Sequence, residues 1–333
     1  MAARTWGGGS NTPATGSWKV AANWTGDTVP QNNDLITFDG TDTTDCTVDV
    51  ATNVMLEVTM AAGYTGTLTP QFAVSTYDWV LASGTVDNSV HNPSHLIKGN
   101  FTQTGGTWTR GNGILDFQGN VLQDINFTDA LEDIRITQTS IAIFRLQNDL
   151  SCKSIKVTDG IFNPNGYDVT ASGSIIIDAS TGAEVRGVGL NGSTITTSSF
   201  IRWLGKAGNL LDFNATATWY LDVTDGDNST VEYVEVAYSD ASAGEQIDAS
   251  DGTSVDSVVG STTNWLWNSP IDIAQRGGIT INHGAAEPIV RQNSALTGEL
   301  TKSDRLTGEF SKEGRLTGNL TAKDRLTGVI EHE

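Results

Sequence analysis

The sequence predicts an all-β protein with a β-solenoid body and a C-terminal segment of repeated β-strands. Three features of the 333 residues support this. Gly, Thr, Ser, Asn and Asp are abundant, whereas the runs of Ala, Leu, Glu, Lys and Arg that favour helices are nearly absent. Short apolar segments recur about every twenty residues, and the end of the chain repeats a motif every ten residues.

Residues 1–40 form the first predicted unit, an N-terminal cap rich in Trp and Gly. Trp6, Trp18 and Trp24 lie in a Gly-rich stretch and are followed by Val29-Pro30 and an apolar segment around Ile36. This pattern resembles the entry segment of phage and bacterial β-solenoid surface proteins. Three tryptophans can shield the open end of a solenoid from water and from strand pairing. They could instead form an exposed platform that stacks on sugars.

Residues 41–268 form the predicted solenoid body. Most gaps between apolar segments are close to twenty residues, which is too short for a helical crossover and long enough for a turn of two or three strands. A β-sandwich is the alternative, because its short strands are also bounded by turn signals. The predicted segment centres, counting the strand at Ile36, are Ile36, Glu57, Trp79, Ile97, Leu115, Arg135, Ile155, Ile175, Ile195 and Trp219.

The last forty residues of the body carry a resemblance to a known fold. The segments 231–240, 247–250 and 264–267, the last reading Asn-Trp-Leu-Trp, look like the final rungs of right-handed parallel β-helix proteins. The resemblance implies a right-handed parallel β-helix for the body. It implies little about activity, since this fold hosts many functions.

Residues 269–333 form a connector and an attachment segment of four decapeptide repeats. Each unit reads Leu-Thr-Gly with an apolar residue four positions after the Leu, so a strand would place both apolar residues on one face. One such ladder cannot cover its own apolar face, so we expect a partner to bury it. A fold-back onto the body is the alternative, and three ladders could also bury their faces together in a trimer. The predicted partner-binding residues are Leu296, Leu300, Arg305, Leu306, Phe310, Arg315, Leu316, Leu320, Arg325, Leu326 and Ile330.

Charge and cysteine content narrow the class of protein. A formal net charge of −20 argues against binding to the nucleic-acid backbone. No apolar signal segment and no run of about eighteen apolar residues is present, so we expect neither conventional secretion nor a membrane span. Cys46 and Cys152 are far apart in strand-like stretches, which favours free thiols over a disulfide.

Few motifs indicate chemistry, and we expect no enzyme activity, no metal and no cofactor. Asp222, Asp225 and Asp227 could face one groove as paired carboxylates or offer oxygens to Ca²⁺, but the remaining positions of a calcium loop are lacking, and an acidic turn between rungs is the favoured interpretation. A weaker set is Asp248, Asp251 and Asp256. His91 and His95 have a spacing suited to a metal on a helix, but Pro93 between them indicates a loop. A further group, Trp108, Trp203, Trp219, Trp265 and Trp267, could stack on sugars or fill the core.

The Leu-Thr-Gly decapeptides resemble repeats of tailed-phage virion proteins. The Trp-rich entry segment and the β-helix ending support the same resemblance. The resemblance implies a virion structural protein that contacts other capsid or tail proteins and forms a homo-oligomer such as a trimer. A capsid decoration or cement protein is the first expectation, with the repeats clamping neighbouring subunits. A tail fibre or tailspike that binds host glycans, with or without depolymerase activity, is the alternative. A bacterial adhesin is a third, weakened by the missing signal segment.

Overall fold

A computed structural model shows an all-β chain whose strands stack as a parallel β-solenoid of about ten turns. It describes residues 1–12, 14–138, 142–179, 185–187 (backbone only), 189–258 and 260–267. All pairings between its strands are parallel, as in β2 with β4 and β17 with β20 below. The predicted solenoid is therefore confirmed, because a sandwich would be built from antiparallel strands. Residues 1–267 form one compact unit.

The strands are short, and their bounds follow in chain order. They are β1 Ala3–Thr5, β2 Leu35–Phe38, β3 Cys46–Val48, β4 Val54–Met60, β5 Thr67–Pro70, β6 Ser75–Leu81, β7 Thr85–Asp87, β8 His95–Ile97, β9 Phe101–Gln103, β10 Thr107–Thr109, β11 Ile114–Phe117, β12 Gln123–Asn126, β13 Leu131–Thr137, β14 Ile143–Leu146, β15 Leu150–Asn163, β16 Val169–Ala171, β17 Ile175–Asp178, β18 Val185–Gly187, β19 Thr194–Thr197, β20 Ile201–Leu204, β21 Leu211–Val223, β22 Thr230–Glu232, β23 Val234–Asp240, β24 Ile247–Ala249, β25 Val255–Asp256 and β26 Trp265–Trp267. One 3-10 turn, Ala21–Asn23, interrupts the N-terminal segment.

The strands form three faces, which the chain visits in the order A, B, C. Face A contains β8, β11, β13, the middle of β15, β17, β20 and β22, and β24 and β26 follow on the same side. Face B contains β1, β2, β9, β12, β14 and β18. Face C contains β3, β5, β7 and β10, and later the start of β15, β16, β19 and the end of β21. Strands β4 and β6 span faces A and B.

Side-chain alternation fills the interior. In β15, Ile155 and Val157 are buried while Lys156 between them points to solvent. The register stacks like residues from turn to turn, as where Ile155 lies between Ile134 and Ile175. Each fully buried aliphatic side chain contributes about 1.5–3 kcal/mol, so such columns supply the main stabilising term.

The N-terminal tryptophans close the first turn. Trp6, Trp18 and Trp24 are at most 1% exposed, and all three contact Phe38. Trp6 and Trp18 each pack edge-to-face on Trp24. The buried side chain of Asn23 ties the segment together, because its Nδ2 donates to the Ser17 carbonyl at 2.8 Å. Burial excludes a sugar-stacking platform at these three residues, and the cap over residues 1–40 stays a prediction.

Two carboxylates bridge an interruption in face C. β10 pairs with β7, and the ladder does not continue to the next turn. Instead Asp129 accepts the Trp108 backbone N–H at 2.7 Å, and Glu132 accepts the Trp108 indole N–H at 2.9 Å and the Gly111 N–H at 3.0 Å. Glu132 is 1% exposed, so these bonds satisfy a buried carboxyl group at the junction.

The predicted segment centres all lie in strands, but a spacing of about twenty residues does not keep them on one face. Trp79 pairs with Phe101 on face B, whereas Ile97 pairs with Thr76 on face A, so the first change of face falls between Trp79 and Ile97.

Ile155 and Ile175 lie opposite each other on face A, but the next residue in that column is Ile201, twenty-six positions on. Ile195 and Trp219 belong to β19 and β21 on face C. The later turns contain longer loops, so positions that are twenty residues apart no longer fall on the same face.

Candidate functional site

The candidate site is a groove on face A over the last turns of the described body. Its volume is about 640 Å³, and the carboxylates of Asp227, Glu232, Glu245, Asp248 and Asp251 line it together with Leu266. No cationic side chain lines it, and residues 207–267 contain eleven Asp and Glu residues and no Lys or Arg. The groove is therefore a concentrated source of negative potential.

Three successive strands of face A present the outer wall of this groove. Val231, Ile247 and Trp265 are buried, so alternation turns their neighbours in β22, β24 and β26 outward. Glu232 and Asp248 are consequently exposed. A short sequence pattern sets this geometry: an acidic residue follows the buried Val231 and Ile247, and Leu266 follows the buried Trp265.

Several groove carboxylates also build the turns that hold them. Asp248 accepts the Ser250 backbone N–H at 2.8 Å, and Asp251 accepts the Thr253 N–H at 3.0 Å. The Glu245 carboxylate accepts the Gly226 N–H at 2.8 Å. These bonds are typical of turn formation by acidic side chains and favour a structural role for the three residues.

The structure separates the three aspartates that sequence alone grouped. Asp227 lines the groove, whereas Asp225 binds the Asn228 side chain at 2.8 Å and Asp222 lies in β21 on face C. Asp248 and Asp251 join Asp227 in the groove, but Asp256 does not line it. Glu232 and Glu245 were missed, although the alternation in Thr230-Val231-Glu232 could have placed Glu232 outside.

The described residues hold no group of three or more His, Cys, Asp and Glu side chains arranged to bind a metal ion. His91 is exposed in a turn, and His95 begins β8 and is 1% exposed. The predicted loop is confirmed for His91, while His95 belongs to a strand. The ring of His95 is a core group: Nε2 lies 2.8 Å from Asn88 Oδ1, and Nδ1 accepts the Val74 N–H at 3.1 Å.

The later tryptophans belong to the interior. Trp108, Trp203, Trp219 and Trp265 are at most 8% exposed, and Trp203 stacks on Phe213 with ring centroids 4.3 Å apart. Sugar stacking is therefore wrong for these four. Trp267 is half-buried and stacks on Trp265 at 5.2 Å.

The predicted attachment residues, Leu296 to Ile330, lie outside the described residues, so their role stays a prediction. In the part of the chain that is described, no helix is long and apolar enough to cross a membrane. Neither a protein-family model, nor a curated protein, nor a solved structure matches this chain.

Proposed function

We propose that this chain is a structural protein of a tailed-phage virion, a capsid decoration or cement protein without enzyme activity. The observation that supports the proposal best is the body itself, a solenoid whose interior is filled with buried side chains and whose first turn is closed by tryptophan. Such a body is stiff, because each turn packs on its neighbours along its length. Stiff modules of this kind suit a part that projects from a particle.

Attachment is assigned to the C-terminal repeats. The eight apolar residues with even numbers from Leu296 to Ile330 would bury one face against neighbouring virion proteins or against the same segment of other copies. Arg305, Arg315 and Arg325 would pair with acidic groups of the partner. A homo-oligomer such as a trimer belongs to this proposal.

Binding to particles tests the attachment role. The chain lacking residues 290–333 is compared with the full chain for binding to phage particles from which the native copy has been stripped. We expect the truncation to abolish binding, because it removes the apolar ladder. A full chain with L306S, F310S and L316S should bind weakly, whereas a control with K302Q, S311A and K312Q in the intervening segments should bind normally. Unchanged affinity of the truncated chain would show that attachment lies elsewhere.

The acidic groove favours a second candidate function, a tailspike that cleaves host polysaccharide. Glycoside hydrolysis needs two carboxylates flanking the scissile bond, and five line this groove. Incubation of the chain with capsular polysaccharide tests this role. Released oligosaccharide that disappears in E232Q and D248N variants would support the tailspike and exclude the purely structural role.

A further inference from the structure

The chain contains three Asn-Gly dipeptides, and each lies in a turn between strands of the body. They are Asn112-Gly113 before β11, Asn165-Gly166 before β16 and Asn191-Gly192 before β19, and all three asparagines are exposed. Glycine has no side chain to shield its backbone nitrogen, which can therefore attack the carboxamide carbon of the preceding asparagine. The three dipeptides share this chemistry, so their surroundings decide which one reacts.

The Asn191-Gly192 dipeptide is held at both of its reacting groups. The Asn191 side chain donates from Nδ2 to Thr216 Oγ1 at 2.9 Å, and its Oδ1 accepts the backbone N–H groups of Thr216 and Ala217 at 2.9 and 3.0 Å. The Gly192 N–H donates to the Thr218 carbonyl at 2.9 Å. The carboxamide carbon and the glycine nitrogen cannot meet until these bonds break.

The Asn165-Gly166 dipeptide is held in the same way by fewer bonds. The Gly166 N–H donates to the Gly189 carbonyl at 2.9 Å, so the attacking nitrogen is engaged. Asn165 Nδ2 donates to the Leu146 carbonyl at 3.2 Å, which keeps the carboxamide turned towards the preceding turn of the solenoid.

The Asn112-Gly113 dipeptide lacks these restraints. The backbone N–H of Asn112 donates to Asn92 Oδ1 at 2.7 Å, which fixes the main chain but not the side chain. Among the residues that the structure describes, neither the Asn112 carboxamide nor the Gly113 N–H has a hydrogen-bond partner. The carboxamide is exposed, so water and hydroxide reach it.

We infer that Asn112 is the residue at which this chain undergoes deamidation. The Gly113 nitrogen loses its proton and forms a bond to Asn112 Cγ, the Cγ–Nδ2 bond breaks, and Nδ2 leaves with that proton as ammonia. Water then opens the resulting cyclic imide at one of its two carbonyl carbons. Opening at Cγ gives aspartate, and opening at the main-chain carbonyl gives isoaspartate, in which the chain runs through Cγ. Both products carry a new carboxylate, and neither step depends on a virion role.

Hydrogen bonds set the expected order of the three rates. Each bond that must break before the ring closes slows the reaction by about two- to tenfold, which is the net strength of a hydrogen bond expressed as a ratio. Four such bonds hold Asn191-Gly192 and two hold Asn165-Gly166. Asn112 should therefore react fastest and Asn191 slowest.

The isoaspartate product should disturb β11, because it lengthens the main chain just before this strand. Gly113 fits closely against the preceding turn, since a Cβ on it would lie 1.9 Å from the Pro93 carbonyl oxygen. Two residues further on, Leu115 is buried and pairs with His95 and Ile134. The added atom therefore has no free space on that side and shifts the strand from its register. Aspartate leaves the main chain unchanged.

Ageing in water labelled with heavy oxygen tests the site. The full chain is incubated in mildly alkaline labelled buffer and digested, and fragmentation of the peptides assigns the label to a residue. We expect Asn112 to acquire the label at least about tenfold faster than Asn191 and several-fold faster than Asn165. In denaturant the three rates should become similar. Equal native rates, faster labelling at either of the other two, or no label at Asn112 while the denatured chain reacts, would overturn the proposal.

The aged protein also tests the effect on β11. A brief protease pulse near the urea midpoint removes unfolded molecules, and the ratio of isoaspartate to aspartate at residue 112 is measured in the surviving fraction. We expect this ratio to fall by about threefold or more relative to the untreated sample. N112D carries the aspartate product alone and should unfold like the parent chain. An unchanged ratio would show that β11 tolerates the added atom and refute its disturbance.

Discussion

At the scale of single residues, His95 shows how the core constrains a titratable group. Its ring is 1% exposed and packs edge-to-face against Trp79 and Trp108, with centroids 5.7 and 5.9 Å away. Burial lowers the pKa of His95 to about 4. Adding a proton at Nδ1 would also break the bond that this atom accepts from the Val74 N–H. The folded state therefore holds His95 neutral.

This histidine makes the fold sensitive to mild acid. The unfolded chain binds the proton near pH 6.5 and the folded chain only near pH 4, so stability is complete above pH 6.5 and is lost as the pH falls between these values. We expect a loss of about 2 kcal/mol between pH 8 and pH 5 from this residue. Urea unfolding at the two pH values measures it.

The matched controls are His95→Gln and His91→Gln. The first removes the buried titrating ring and should flatten the dependence on pH over this range, whatever its effect at pH 8. The second removes an exposed ring four residues away and should leave the dependence as in the parent chain. An unaltered dependence in H95Q would assign the acid sensitivity to other groups.

The two thiols lead to a second prediction at this scale. Cys46 and Cys152 are free and at most 1% exposed, and burial raises the pKa of Cys152 to about 12 and that of Cys46 well above its usual range. Thiolate is the reactive form. We expect no modification by a small disulfide reagent in the native protein and two equivalents in denaturant. Fast native modification of either thiol would mean that face C opens locally at that strand.

At the scale of elements, the sequence predicts what depends on local alternation and misses what depends on loop length. Ile155-Lys156-Val157 alternates as the strand does, so its existence and its buried side follow from the residues alone. The pairing of Ile201 with Ile175 does not follow from the residues alone, because the lengths of the preceding loops determine which residue of each turn reaches that position. The register of successive turns also aligns Lys156 with Ile176 and Arg202. The spacing of forty-six residues between Lys156 and Arg202 does not predict this alignment, because it too depends on loop length.

The sequence predicts the candidate groove only in part, because the groove depends on how successive turns stack. Asp227, Asp248 and Asp251 were identified as acidic positions, but only stacking of consecutive turns shows that they share a groove and that Asp222 and Asp225 do not. Buried acceptors such as Glu132 were missed. An isolated Glu in a strand is usually solvated, and nothing in the local sequence indicates the indole N–H that binds it.

The junction at Glu132 is testable by a double-mutant cycle. Glu132→Gln replaces one acceptor oxygen with a donor, which then faces either the Trp108 indole N–H or the Gly111 N–H. We expect it to cost about 2–4 kcal/mol of unfolding free energy, since a buried donor is left unpaired. Trp108→Phe removes the indole donor and should reduce the additional cost of E132Q. Additive effects of the two changes, measured by urea unfolding, would show that the indole contact contributes nothing.

At the scale of the whole described body, charge is distributed unevenly along the solenoid. Residues 95–206 carry nine Lys and Arg residues against ten Asp and Glu residues, so this middle part is nearly neutral. Residues 207–267 carry eleven acidic residues and no Lys or Arg. Repulsion among these carboxylates destabilises the turns that contain them. The aromatic contacts of Trp203 with Trp219 and Trp265 stabilise the same turns.

A solenoid opens from its least stable turns, because each turn contacts only its neighbours. Low ionic strength should therefore loosen the acidic turns first, since the Debye length grows from about 8 Å at physiological salt to about 30 Å at 0.01 M. We expect hydrogen exchange in β21 to β24 to slow by about tenfold or more when salt is raised from 0.01 to 0.5 M. Exchange in the middle of β15, where opposite charges balance, should change little and serves as the internal control. A uniform response of both regions would mean that salt acts on the whole fold rather than on carboxylate repulsion at its acidic end.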